Sequence, residues 1–394
     1  MKKQQNHLML LFYTIILFAA LPQLSFGQSL EITHGPFIQH LTTNAVTVNW
    51  STSEDCISWV EYYEDDGSNF YLKERDRVYN SSEGLKNIGK RHQVSLGDLN
   101  PDTKYAYRIY SQKLTEDGDL SKVVATKVYQ KEPLYFTTLK NDKQDISCIV
   151  LSDMHEDASK TAKLLSNVKW NETDFVLLNG DFLNNFNKDE NLYAVIDTCV
   201  DVFAKEKPLY IVRGNHETRG LKARDLNEHF HFPDNKYYYI FTIGKSFFIV
   251  LDSGEDKPDS DIEYNGMADF DAYRTEQAKW LSKIVETDEF KEAEHKIVFM
   301  HIPPFMDERG DEWHGEIEIR NKFVPILNKA DIDLMLCGHM HAHSFVQEKA
   351  GENNFPIIVA DNNSKVNLSI NSKGIHAEVL DIDSNVISDL FFDE

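Results

Sequence analysis

Carboxylate, carboxamide and imidazole side chains recur in five short motifs of this chain. They are Asp153-Met154-His155, Gly180-Asp181, Gly214-Asn215-His216-Glu217, His301, and Gly338-His339-Met340-His341. Oxygen and imidazole donors in this mixture suit Zn, Fe or Mn better than the ions that prefer thiolate. Asp181 carries two oxygens and can bridge a pair of ions. Gly180, Gly214 and Gly338 let the backbone turn tightly or approach a ligand closely. Taken singly, Asp-x-His or Gly-Asp says little; the ordered series carries the reading. The chemistry expected is metal binding at one shared crevice.

Each motif follows an apolar run: Ile149-Val150-Leu151, Phe175 to Leu178, Leu209 to Val212, Ile297 to Met300 and Leu334 to Leu336. Phe247 to Leu251 and Phe355 to Val359 continue the series, with Pro356 expected at a strand start because it cannot donate to a ladder. Continuous runs of this kind suit strands buried on both faces, as in an α/β domain. Sites in such sheets form just beyond the carboxyl ends of the strands, which would bring the motifs together. Residues 272–285 have helical spacing, with Ala278, Leu281 and Ile284 expected to face the core. Residues 366–392 return to β alternation around the turn Asn371 to Gly374.

The chain before these runs reads differently. Residues 31–139 alternate short β-like runs, among them Ala45 to Trp50, Trp59 to Tyr63 and Tyr105 to Tyr110, with turn signals. An all-β sandwich of about a hundred residues is expected, acting as a supporting module. Lys140 to Asp145 is a polar linker, and a second domain is expected over 145–394. Residues 1–27 read as a signal peptide: Lys2 and Lys3, the apolar run Leu8 to Leu21, then Ser25 and Gly27 before the cleavage point. The run is short of the roughly 20 residues that span a bilayer, so export to the periplasm or outside is expected, with no stable membrane insertion.

The 394 residues carry a formal net charge of −23, which becomes −25 once residues 1–27 are removed. Such a surface disfavours nucleic acid, and an anionic substrate would need the positive charge of bound ions. The four cysteines, Cys56, Cys148, Cys199 and Cys337, lack the spacing of a disulfide scaffold or a zinc pair, and buried free thiols are expected.

The ordered motif set resembles the calcineurin-like metallophosphoesterase superfamily over about residues 145–345. The resemblance implies a four-layer αββα domain. It implies that Asp153, His155, Asp181 and His341 hold one metal, and that Asn215, His301 and His339 complete a second, bridged by Asp181. The N-terminal β region makes the layout similar to the purple acid phosphatases, where a fibronectin type III-like sandwich precedes the catalytic domain. Two positions depart from that subgroup. Asn184 stands where the purple enzymes place a metal-ligating Tyr, and His155 is present where their first motif lacks a histidine. A tyrosinate-to-iron colour is therefore not expected.

On this reading the protein is a secreted phosphoesterase with two divalent or trivalent ions (Fe, Zn or Mn), acting on a small phosphorylated substrate. Two such ions would lower the pKa of a water and clamp the phosphoryl oxygens. The resemblance implies His216 as general acid, and Glu217 is expected to orient it. Arg213, His343 and His314 are candidate substrate contacts; Arg219 flanks the same loop as Arg213, and either could reach phosphate, though solvated surface is expected for each alone; Asp252 is expected to be structural. Residues 255–271 and 307–314 are expected to rim the pocket. A phosphomonoesterase is the leading reading. A phosphodiesterase on nucleotides or lipid head groups, with the same metals, is the alternative, and a non-catalytic secreted binding protein is the third.

Overall fold

The computed structural model describes residues 30–114, 120–125, 133–306 and 313–393. The expected signal peptide and most of the 307–314 loop lie outside the described residues.

The N-terminal region holds a seven-stranded sheet built on one long strand, Val46–Glu64, with which four of the others pair. Its first half lies between Ile32–Gln39 and Gly89–Leu96, and its second half between Asp76–Tyr79 and Lys104–Leu114. Ala45 to Trp50 and Trp59 to Tyr63, two separate runs in the sequence, thus belong to a single strand. A register shift between Ser51 and Cys56 breaks the alternation between them and hands the strand to new partners. Val46, Val48, Trp50 and Val60 close a core with Val94, Tyr107, Ile109 and Phe136.

Two six-stranded sheets follow. The first runs Leu209–Val212, Phe175–Asn179, Ile146–Leu151, then Ser364–Asn371, Gly374–Asp381 and Val386–Phe392. The second runs Tyr239–Ile243, Ser246–Val250, His295–Phe299, Leu334–Cys337, Ile357–Val359 and Ser344–Val346. In Ser246–Val250, Phe248 and Val250 point into the core between the sheets, while Phe247 and Ile249 pack on the helix side with Leu281, Ile319 and Phe323. A period of two places alternate residues on opposite faces, so a strand covered on both must be apolar throughout. Helices Ala158–Leu165 and Asp189–Cys199 cover the first sheet; Phe270–Ile284 and His314–Lys322 cover the second. The result is a four-layer α/β domain, with an all-β region ahead of it.

Within Phe270–Ile284 the buried positions are Arg274, Gln277 and Leu281, whereas Ala278 and Ile284 are only partly buried. The two polar side chains are inside because they satisfy a loop backbone. Arg274 Nε donates to the Ser253 carbonyl at 2.8 Å, and Gln277 Nε2 to that of Asp252 at 2.8 Å. All four cysteines are buried and free.

The N-terminal region is docked on the α/β domain. Phe37 joins the buried cluster of the α/β domain and packs against Phe230, with ring centroids 5.7 Å apart. His34 stacks on Tyr193 at 3.6 Å, and Tyr107 donates to the Lys205 carbonyl at 2.7 Å. No helix among the described residues is long and apolar enough to cross a membrane.

Candidate metal centre

The five motifs follow the carboxyl ends of Ile146–Leu151, Phe175–Asn179, Leu209–Val212, His295–Phe299 and Leu334–Cys337. Because the first three strands lie in one sheet and the last two in the other, the site sits where the two sheet ends meet. Asn179 ties them: its side chain donates to the Leu336 carbonyl at 3.1 Å, and its own carbonyl accepts from His301 Nδ1 at 2.8 Å. Sequence reasoning missed Asn179; a buried polar residue at the end of an apolar run was the available signal.

The structure brings Asp153, His155, Asp181, Asn215, His301, His339 and His341 together. The donor atoms of Asp153, His155 and His341 lie within 4.8 Å of one another, and so do those of Asp181, His301 and His339. Five of the seven residues sit at left-handed φ: Asp153 (59°), His155 (46°), Asp181 (53°), His339 (74°) and His341 (52°). Such a conformation is costly for a residue with a Cβ and collects at functional sites. The space left is tight. A Cβ on Gly214 would stand 2.2 Å from Asp181 Oδ1, and one on Gly180, at φ 87°, would stand 2.4 Å from His301 Nδ1.

Several donor atoms crowd together across the cluster. His155 Nε2 and His341 Nε2 are 2.9 Å apart. Asp153 Oδ2 accepts from Ser152 Oγ and the His339 amide, whereas Asp153 Oδ1, 3.4 Å from His341 Nε2, and His339 Nε2 are buried with no hydrogen bond. Asn215 Oδ1 lies 3.1 Å from His339 Nδ1 and also faces Asp181 Oδ2 and His301 Nε2. With the carboxamide reversed, its nitrogen donates to Asp181 Oδ2, His301 Nε2 and His339 Nδ1 and its oxygen accepts from Arg219 Nη2 at 3.0 Å. Orphaned buried polar atoms call for a partner, and oxygen and imidazole donors converging in this way fit metal ions.

The electrostatics agree with a charged centre. Burial opposes charge on His301, yet Asp181, at 3.0 Å, raises it to about 10. Burial works against the Asp181 carboxylate, but His301 and its neighbours hold it below the usual range. Burial and the nearby His301 lower His339 to about 4, so its imidazole is neutral and available as a ligand.

His216 stands at the edge of the cluster. Its Nδ1 is 2.7 Å from the Asn184 carbonyl and its Nε2 is 3.8 Å from Asp181 Oδ2. Glu217 does not orient it. The Glu217 carboxylate is fully buried and accepts from the amides of Asp181 (2.9 Å), Leu183 (2.9 Å) and Gly214 (2.8 Å), tying two motif loops together. Burial, with Asp181 adding to it, pushes Glu217 up to about 8, against those amide donors.

The candidate substrate contacts are engaged elsewhere. Arg213 is paired with Asp252 at 2.5 Å and lies over the Tyr237 ring at 3.9 Å. His343 uses both nitrogens, on the Val359 carbonyl (3.0 Å) and on Ser388 Oγ (2.7 Å). His314 meets the Asp271 carboxylate at 2.9 Å. Arg219 is no solvated side chain: it makes a bidentate pair with buried Glu255, at 2.8 and 2.7 Å.

The sequence model of the Calcineurin-like phosphoesterase family matches residues 146–343, and that of the Purple acid Phosphatase N-terminal domain matches residues 37–130. Purple acid phosphatase 21 of Arabidopsis thaliana is 23% identical over 272 residues, 65% of this chain and 53% of that protein. The serine/threonine-protein phosphatase CPPED1 of Mus musculus is 29% identical over 140 residues, 35% of this chain and 42% of its own. This chain spans about half the length of these curated relatives. A purple acid phosphatase isolated from yellow lupin (Lupinus luteus) seeds superposes with a TM-score of 0.68 at 13% identity, over 91% of this chain and 74% of that one. At that identity the likeness establishes the fold.

Proposed function

We propose that this chain, which belongs to the calcineurin-like phosphoesterase family, is a dinuclear-metal phosphatase that hydrolyses phosphate monoesters. One observation carries the reading: seven metal-type donor residues converge while Asp153 Oδ1 and His339 Nε2 are buried with no hydrogen bond. Asp153, His155 and His341 would hold one ion, and Asn215, His301 and His339 the other, with Asp181 shared. When bound, the ions (Fe, Zn or Mn) supply Lewis acidity toward the phosphoryl oxygens and make water acidic enough to attack phosphorus near neutral pH.

The remaining work falls to the chain itself. A carbonyl oxygen only accepts, so the Asn184 contact places a proton on His216 Nδ1. The proton given to the leaving alcohol oxygen must therefore come from Nε2, as the phosphorus–oxygen bond to that alcohol breaks. Asp181 Oδ2 lies 3.8 Å from that Nε2. Glu217 keeps the Asp181 and Asn215 loops in register. The expected export rests on residues 1–27, and the N-terminal β region is assigned a supporting role over 31–139, ahead of a catalytic domain over 145–394.

Metal analysis of purified protein, with parallel assays on p-nitrophenyl phosphate and bis-p-nitrophenyl phosphate, tests this. Two ions per chain and monoester hydrolysis are expected. Turnover of the diester alone would replace the monoester reading, and no turnover of either by fully metallated protein would favour a binding protein.

A further inference from the structure

Glu156 directly follows the first motif and sits at a φ of 64°, a left-handed conformation that glycine takes freely and a residue with a Cβ does not. Its carboxylate makes two bonds there. Oε1 accepts from the Asn184 amide at 3.0 Å, and Oε2 accepts from Asn191 Nδ2 at 3.0 Å. The Asn191 carboxamide oxygen accepts from the Lys188 amide at 3.2 Å, which sets its orientation. Asn191 stands in the first turn of Asp189–Cys199, the helix that the N-terminal region grips through Arg91 on Asp189 (3.1 Å) and Ser51 on Tyr193 (2.7 Å). Glu156 thus fastens the loop at Asn184 to a helix held from both domains.

That loop carries the one hydrogen bond made by the His216 ring among the described residues, from Nδ1 to the Asn184 carbonyl at 2.7 Å. The carbonyl can hold the ring only while residue 184 itself stays in place. Two bonds keep it there: the Asn184 side chain donates to the His155 carbonyl at 3.2 Å, and its amide donates to Glu156. Placement matters in catalysis, since an error of about 1 Å can cost on the order of 10²-fold in rate.

We propose that Glu156 is a positioning residue for the reaction: through Asn184 it holds the His216 ring where Nε2 meets the leaving oxygen. The proposal rests on the phosphatase reading and on His216 as its acid. Its loss should then matter in proportion to the leaving group's need for a proton. p-Nitrophenolate departs without one, whereas an alkoxide does not.

The test uses Zn-loaded wild type, Glu156→Gly and Glu156→Gln on p-nitrophenyl phosphate and ethyl phosphate. Glycine suits the φ of 64° and removes both bonds without straining the backbone. Glutamine keeps an oxygen for the Asn184 amide. In Glu156→Gly, kcat should fall about tenfold on ethyl phosphate and only about twofold on p-nitrophenyl phosphate, with KM little changed. Glu156→Gln should recover most of that loss. By proton NMR, the Nδ1–H signal of His216, identified by its loss in His216→Ala, should vanish in Glu156→Gly and persist in Glu156→Gln. Equal losses on both esters, or a signal indifferent to Glu156, overturns the proposal. If neither ester is hydrolysed, yet the signal is lost with glycine and kept with glutamine, Glu156 still positions His216 and the phosphatase reading falls.

Discussion

The backbone carbonyl of Asn184 lies 2.7 Å from His216 Nδ1 and fixes that ring at the edge of the centre, while its side chain donates to the His155 carbonyl at 3.2 Å. The residue that stands where the purple enzymes place a tyrosine thus serves the candidate acid through its main chain. His216→Ala should lower kcat by about 10²–10⁴-fold with metal content intact. Asn184→Ala should keep activity within a few-fold, since the carbonyl remains. Steady-state kinetics with elemental analysis of each variant decides this; full turnover by metallated His216→Ala would remove His216 from catalysis.

Glu217 makes the opposite prediction. Its carboxylate holds three buried amides, so Glu217→Ala leaves three donors unpaired, each worth about 1–3 kcal/mol. The expected result is a large fall in Tm of the metal-free protein, or failure to fold. A variant of unchanged Tm whose only defect is in kcat would restore the orienting role.

The order of motifs and strands was legible because a strand covered on both faces writes an uninterrupted apolar run, with the ligands in the residues that follow. Side-chain direction in the loops was not. Glu217 neighbours His216 in sequence, but both lie in the short 3-10 turn His216–Thr218, where about three residues complete a turn, so adjacent side chains diverge. His343 would point the same way as His341 only in an extended chain, and His341 sits at a φ of 52°, which breaks the alternation. Arg213 meets its partner Asp252 only because the two sheets stack, a relation that no local spacing encodes. The left-handed φ values at five ligand positions fall on Asp and His, which visit that region more than most residues but mostly lie elsewhere, so residue type alone does not mark them.

Arg219 bears on metal affinity. Its Nη2 lies 3.0 Å from the outward end of the Asn215 carboxamide, which would accept from it if the amide were reversed. The metal-free protein gains that hydrogen bond, and binding a cation with the oxygen inward gives it up. Arg219→Met should therefore tighten the weaker of two metal-binding steps, by about tenfold for a hydrogen bond worth roughly 1.5 kcal/mol. Calorimetric titration of metal-free protein with Zn or Mn measures it; unchanged or weaker binding would contradict the competition.

Acid should loosen the contact between the β region and the α/β domain. His40, bonded to the His231 carbonyl at 3.0 Å, is lowered from 6.5 to about 4 by burial, with His231 adding to it. His229, bonded to Tyr193, is lowered to about 3 by burial and then by Arg91. Above pH 6.5 each is neutral in both states. Below it the unfolded chain takes up protons that the native state refuses, so stability falls as pH drops from 6.5 toward 4, by at most about 1.4 kcal/mol per unit for each histidine. Tm of the chelator-treated protein between pH 7 and 5 should fall, and His40→Gln should flatten the slope. An identical slope in the variant would rule His40 out.

The central claim is that two ions held by these seven residues perform the chemistry. The direct measurement is phosphate release from a monoester against metal content, starting from chelated protein and adding Zn or Mn in steps. The account predicts no release without metal and a plateau at two ions per chain, with the plateau lost in Asp181→Ala. Full activity in chelated protein, or a plateau at one ion, would contradict it.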